Sequence, residues 1–317
     1  MSDIVFGSGI TIGTGISVLA PPPPPSSKAI FGYGFNYPLG GSQSMINLVS
    51  NTGVVASDTT GVGTARSTLA AAGYGTDKAL FGYGYTGTVA TAITNLVSNT
   101  GVVATDTAGV GTARSGLAAA GYGTDKAIFG YGGNPLTGSE YSMTNLVSNT
   151  GVVATDTSGV GTARRELPAA GYGTDKAIFG YGYGGSLQSI TNKVSNTGVV
   201  ATDTSGVGTA RYYLAAAGYG TDKAIFGYGS TGSEQSITNL VSNTGVVSTD
   251  TTGVGTARSS LAATGYGVDT AMFGYGNAGA GPLSMTNLVS NTGVVSNDTT
   301  GVGTVRQNLG AASYGYA

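Results

Sequence analysis

Apolar residues along this chain come in short runs, each cut by Gly, Asn, Asp or Thr before it is long enough for a helix. Four kinds of run recur. "LAAAGYG" is small and apolar, and "KAIFGYG" is apolar and aromatic. "SITNLVSN" mixes apolar with polar residues, and "GVVATDT" sets a β-branched pair before a polar tail. β-Branched and aromatic residues suit a pleated, half-buried surface, and the bounding Gly, Asn and Asp suit tight turns. No stretch shows the helical period with end caps. The pattern predicts short antiparallel strands and no helices.

The four runs return six times, each copy marked by one Arg: Arg66, Arg114, Arg164, Arg211, Arg258 and Arg306, at intervals of 48, 50, 47, 47 and 48 residues. Periods of this size signal units that bury an apolar face only against their neighbours. Four strands per period fit the blade of a β-propeller, and a parallel β-helix is the weaker alternative. The repeated text starts at Lys28 with the second run of a copy. It stops at residues 309–317, "LGAASYGYA", a first run with no second run after it. Pairing that last strand with the first blade would close the ring and remove open sheet edges. The expected fold is therefore all-β: a six-bladed β-propeller of four-stranded blades over residues 28–317, preceded by an arm over residues 1–27.

Around "R-x-x-L-A-A-A", "K-A-I-F-G-Y-G" and "S-I-T-N" the text resembles the kelch repeat, which also has an Arg before strand one and a period near 50. The resemblance covers about residues 28–317 and implies a propeller. Gly-Tyr-Gly stands where that family has a glycine pair, and Val-Val stands in the fourth strand where it has Trp.

Spacing separates scaffold from variation. From each repeated Asn (Asn47, Asn95, Asn145, Asn192, Asn239, Asn287) to the next Arg is always 19 residues. From Arg to the Lys or Thr opening the second strand is always 12. All insertions and deletions thus fall between "FGYG" and the Asn, in linkers ranging from "FNYPLGGSQSM" to "STGSEQSI". A second variable spot is the pair after each Arg: Ser-Thr, Ser-Gly, Arg-Glu, Tyr-Tyr, Ser-Ser and Gln-Asn. In a four-stranded meander both spots emerge on one side, while the "GYGTD" and "SNTG" turns occupy the other. A variable face over a constant scaffold is where a loop-built binding surface is expected. Its candidate residues are Phe35, Asn36, Tyr37, Tyr85, Asn134, Glu140, Tyr141, Arg165, Glu166, Tyr183, Tyr212, Tyr213, Glu234, Gln235, Gln307 and Asn308. The aromatic members could stack on a sugar ring while polar neighbours fix its orientation.

Composition narrows the chemistry. Charged residues are 9% of the 317, and net charge is −2 with Lys and Arg scattered singly, so no basic stripe offers itself to nucleic acid. Without Cys or His, disulfides, thiolate chemistry, the usual zinc ligands and the commonest general base are absent. No cofactor or metal is expected. The repeated Asp (Asp58, Asp106, Asp156, Asp203, Asp250, Asp298) could ring a cation. The expected role is instead to cap a turn or pair with the Arg eight residues on, since "DT" lacks the clustered oxygens of a calcium loop. Asp77 and Lys78 and their counterparts read as hairpin turns, and the "GYG" tyrosines as packed between blades. Arg165, Glu166, Tyr212 and Tyr213 open the first strands of adjacent blades near the channel mouth. The paired carboxylates of most glycosidases are not evident among the three glutamates, Glu140, Glu166 and Glu234.

Residues 1–27 lack a basic start and a long apolar run and do not read as a signal peptide, and no segment approaches the ~20 apolar residues of a membrane span. Pro21 to Pro25 read as a stiff polyproline spacer. The arm's "GITIGTGISV", the low charge and the near-identical repeats are similar to virion structural proteins of tailed, particularly marine, phages. That resemblance implies a non-enzymatic particle component, a capsid decoration or a tail or fibre part. Residues 1–27 would dock on other virion proteins, and the variable face would meet a partner or host glycan. The rival expectation is a secreted or cell-surface carbohydrate-binding propeller, lectin-like or glycosidase-like.

Overall fold

The computed structural model describes residues 27–37 and 39–316. The arm expected over residues 1–27 lies outside them except for Ser27, which already belongs to a strand. The described residues are all β, built as repeated three-stranded antiparallel sheets with no helix.

Five sheets run in chain order. They are Ala70–Tyr74/Lys78–Gly82/Thr94–Val97, Ala118–Tyr122/Lys126–Gly130/Thr144–Val147, Ala169–Tyr172/Lys176–Gly180/Thr191–Val194, Ala215–Tyr219/Lys223–Gly227/Thr238–Val241 and Ala262–Tyr266/Thr270–Gly274/Thr286–Val289. A sixth joins distant parts of the chain: Gly310–Tyr316 pairs with Ser27–Gly32, which pairs with Ile46–Val49. A two-residue hairpin, Phe35–Asn36 with Gly41–Ser42, stands apart in the first linker.

The expected fourth strand is a correction. "GVVATDT" adds to the third strand through two isolated bridges per copy, Val97↔Val103 and Thr94↔Thr107 in the first full one, and is not a continuous strand. Between those bridges the backbone bond from Ala104 N to Leu96 O (2.8 Å) and the Asn95 side-chain bonds to Ala104 O and Asp106 hold the segment without a continuous ladder.

Each sheet packs on the next through one apolar cluster. Phe129, Ala127 and Leu117 of one copy meet Tyr83, Leu80 and Ala72 of the copy before. The same cluster recurs between the other neighbours, and the Ser27–Gly32 sheet packs both on Ala262 and Met272 and on Phe81 and Ala79. Phe129 meets Tyr83 edge-on at 5.0 Å. A Cβ on Gly82 would lie 2.6 Å from Phe129 Cζ, so only glycine lets the neighbouring ring approach this closely. This explains why "FGYG" does not vary.

Candidate functional site

The scaffold's polar groups are committed to joints between copies. Arg114 is fully buried. It donates from Nε to Tyr131 O (2.8 Å), from Nη1 to Thr112 O (3.1 Å) and from Nη2 to Asn145 Oδ1 (2.7 Å). Its guanidinium also lies 4.4 Å over the Tyr83 ring of the preceding copy. The Tyr83 hydroxyl donates to Val110 O (3.0 Å). Asn145 donates in turn to Ala154 O and Asp156. Equivalent joints hold Arg66, Arg164, Arg211 and Arg258. The last, Arg306, reaches back to Asn47 and Met45 O, 259 and 261 residues earlier.

The repeated Asp does not pair with the Arg eight residues on, as expected. Asp106 lies 4.0 Å from Arg66, not against Arg114, and its carboxylate accepts from Thr64 N and Oγ1 of the preceding copy. Burial pushes this carboxyl upward. Hydrogen bonds from Thr64 and Asn95, with the Arg66 charge, outweigh that and hold it below the usual carboxylate range. Sequence separation misled here because the segment folds toward the previous copy. Among the described residues no group of three acidic side chains gathers as a metal site would require.

The variable pair after each Arg has a geometry the sequence did not announce. Its second member, Thr68, Gly116, Glu166, Tyr213, Ser260 or Asn308, has φ between +50° and +60°. The backbone N–H of each donates to the carbonyl of its counterpart one copy earlier: Gly116 to Thr68, Glu166 to Gly116, Tyr213 to Glu166, Ser260 to Tyr213, Asn308 to Ser260 and Thr68 to Asn308, at 2.7–2.9 Å. Non-glycine residues in this region cost of order 1 kcal/mol or more, which the six hydrogen bonds offset. Because the backbone alone makes these bonds, the side chains there are free to differ.

Five candidates gather in one cleft of about 530 Å³: Arg165, Glu166, Tyr183, Tyr212 and Tyr213, edged by Pro135, Leu187, Ser115 and Thr231. Two glycines make room for it. A Cβ on Gly116 would lie 2.6 Å from Glu166 Oε1, so the carboxylate occupies space that a side chain would fill. Gly133 stands where other copies carry Phe35, Tyr85 or Tyr183, and the Arg165 stem passes beside it, with Cδ 3.6 Å from a built Cβ. The Arg165 guanidinium lies 5.3 Å from the Tyr183 ring centre. Among the described residues it makes no hydrogen bond and no ion pair within 4 Å. Tyr183 and Tyr212 are 6.2 Å apart and Tyr212 and Tyr213 4.6 Å, tilted by 48° and 42°, and all three line the cleft. Burial pushes the Glu166 carboxyl up to about 7, against the opposing Arg165 charge and Tyr213 hydroxyl. The Glu166 charge, then burial, raises the Tyr213 phenol.

The remaining candidates do not join this cleft. Asn36 is a correction: it is 1% exposed, its Nδ2 donates to Val305 O (2.7 Å) and its Oδ1 accepts from Leu39 N (2.7 Å), so it organises the first linker and offers nothing to a ligand. Tyr37 is 75% exposed, with Phe35 at 5.9 Å. Phe35 exchanges backbone hydrogen bonds with Gln307. Tyr85 bridges Ser67 and Ala90. Asn134 Oδ1 caps its loop at Leu136 N, Glu140 bridges Gly133, and Tyr141 accepts from Arg164 N. Glu234 accepts from the Ser259 hydroxyl (3.1 Å), while Gln235 bonds within its own loop. Asn308 donates to Ser260 O and accepts from Thr68 N in the backbone series described above.

No family model matches this chain, and no curated protein matches it.

Proposed function

We propose that the six repeats close into a six-bladed, kelch-like propeller that works as a non-enzymatic interaction protein, with its variable end as the binding face. The observation carrying this reading is that sequence variation is concentrated in the linkers and Arg-following pairs, and there assembles one cleft of aromatic and charged groups. Closure into a ring is supported by three sets of contacts that return to their start: the Arg–Asn joints, the backbone hydrogen bonds at the variable pairs, and the apolar clusters between sheets. Every buried scaffold charge is spent on these joints, whereas the groups of the cleft are not committed to them.

The biological setting we propose is the particle of a tailed phage, with the arm docking on other virion proteins and the cleft facing a partner or host glycan. The test is mass-spectrometric proteomics on gradient-purified particles. Co-banding with the major capsid protein at a fixed copy number is the expected result. Recovery only in soluble or cell-surface fractions would overturn the particle setting and favour a free carbohydrate-binding propeller. Deletion of residues 1–26, which spares Ser27 and its hydrogen bonds to Gly267, should abolish incorporation and leave a folded disc. Retained incorporation would reject the docking role.

A further inference from the structure

We propose that the cleft of Arg165, Tyr183 and Tyr212 takes an acidic sugar, a pyranose ring bearing a carboxylate, with Arg165 clamping the carboxylate and the tyrosine wall stacking on the ring. The inference rests on the binding-face reading above and adds the ligand class.

Arg165 is the first ground. The six scaffold arginines are fully buried and hydrogen-bonded, whereas Arg165 is half-buried and without a hydrogen-bond acceptor among the described residues. Its Cζ lies 5.3 Å from the Tyr183 ring centre, with its planar fork of donors free. A guanidinium so placed suits a bidentate carboxylate, and its pre-organisation lowers the ordering cost of binding.

The second ground is the wall. Tyr183, Tyr212 and Tyr213 are packed side by side and present ring faces together with hydroxyls. Ser115 and Thr231 add hydroxyls to the lining, and Pro135 and Leu187 contribute aliphatic surface. A hydroxyl-rich, aromatic-walled cavity of about 530 Å³ matches a sugar or two, and it offers no deep aliphatic pocket for a peptide side chain.

Local charge is the third. Glu166 is the one carboxylate facing Arg165 and Tyr213, and it sits in the space beside Gly116. With its carboxyl pushed up to about 7, a large fraction is neutral near neutrality, and the cleft is then net positive on a chain of net charge −2. Below that pH Glu166 ceases to repel an anion, while a sugar carboxylate stays ionised down to about 3–4. Arg165, Tyr212 and Tyr213 are the other charged or titratable groups at Glu166, and the Glu166 charge and burial raise the Tyr213 phenol further above its ordinary value.

The test is a binding titration of the full chain with oligogalacturonate, an N-acetylneuraminic acid oligosaccharide and a matched neutral oligosaccharide, using wild type, Arg165→Ala, Arg165→Lys, Tyr212→Ala and Glu166→Gln. Expected are preference for an acidic ligand, at least tenfold loss in Arg165→Ala and in Tyr212→Ala, and partial recovery in Arg165→Lys. Binding should be several-fold tighter at pH 6 than at pH 8, a difference that Glu166→Gln abolishes. Equal binding of acidic and neutral sugars, indifferent to Arg165→Ala, would overturn the acidic-sugar inference and leave the binding face intact. Added to the same titration, a poly-glutamate peptide that binds while no sugar does would overturn it in the same way. No binding of any probe, with the cleft variants also incorporated normally into particles, would overturn both readings.

Discussion

Ring closure can be tested by comparing the same substitution at an interior joint and at the joint uniting the ends of the described chain. Arg114→Met removes three charge-assisted hydrogen bonds and a cation–π contact at 4.4 Å, leaving Asn145 Oδ1, Tyr131 O and Thr112 O in a buried setting. Removing one partner of a buried charged network costs about 3–5 kcal/mol. Arg306→Met removes two hydrogen bonds and a cation–π contact at 5.0 Å, because the buried Arg306 Nε has no partner among the described residues. Its cost should therefore be smaller, about 2–4 kcal/mol. The measurement is equilibrium guanidinium unfolding followed by far-UV circular dichroism, with Asn47→Ala as the partner variant. In a closed ring all three variants lower the midpoint of a single transition. In an open array of repeats the end joint frays without weakening the rest. A shift under about 1 kcal/mol for Arg306→Met and Asn47→Ala, beside the full cost for Arg114→Met, would refute closure.

Acid should unfold the protein through the joint aspartates. Their folded pKa values lie below the unfolded carboxylate value of about 3.9. The stability they contribute is thus complete above that value and is lost as pH falls through the lower folded one. The expected midpoint holds or rises slightly from pH 7 to about 4.5, where Glu166 takes up its proton in the folded state before the unfolded one, and then drops; a decline already at pH 6 would count against this. Gly130→Ala sets a Cβ 2.7 Å from Phe179 Cζ and should cost about 1–3 kcal/mol by thermal or chemical unfolding; a neutral result would show that the Phe–Gly contact is not close-packed. Tyr131→Phe loses only the bond to Val160 O (3.1 Å) and should cost about 0.5–1.5 kcal/mol. Gly116→Ala at φ +60° should cost about 1–2 kcal/mol and displace the Glu166 carboxylate, removing any pH dependence of binding between 6 and 8.

Repeat period and the place of variation were legible because each is a property of spacing, whereas the fourth strand of each copy was not, since its segment makes only isolated bridges. Copies differ in length only between "FGYG" and the Asn, and the structure gives the reason: the Arg66–Asn95, Arg114–Asn145 and Arg164–Asn192 bonds span 29, 31 and 28 residues yet hold 2.6–2.7 Å. Partner choice was not legible. Asp58 and Arg66 are eight residues apart, but Asp58 accepts from Thr304 across the chain, since strand direction carries each "DT" toward the previous copy. Asn36 sat in the most divergent linker and still proved buried, because a long loop needs its own internal capping.

The tyrosines of "GYG" show most plainly why the repeated text tolerates so little change. Tyr33, Tyr83, Tyr131, Tyr181, Tyr228 and Tyr275 all have φ between +62° and +64°, a region where a bulky side chain is disfavoured. Glycine would relieve that strain, yet tyrosine is kept in all six copies. Each ring is a floor for the next copy's Arg at 4.3–5.0 Å, an edge-on or tilted partner for a Phe at 5.0–5.2 Å, and a hydroxyl donor to a Val carbonyl. No smaller residue supplies all three, so the strain is retained as part of the joint. At the Arg-following pair the equivalent strain is carried by backbone hydrogen bonds alone, which any residue can make. Two positions with the same unusual backbone thus differ in freedom because of what the side chain must do, and the freer one is where Glu166 and Tyr213 stand, next to Arg165 and Tyr212 in the cleft.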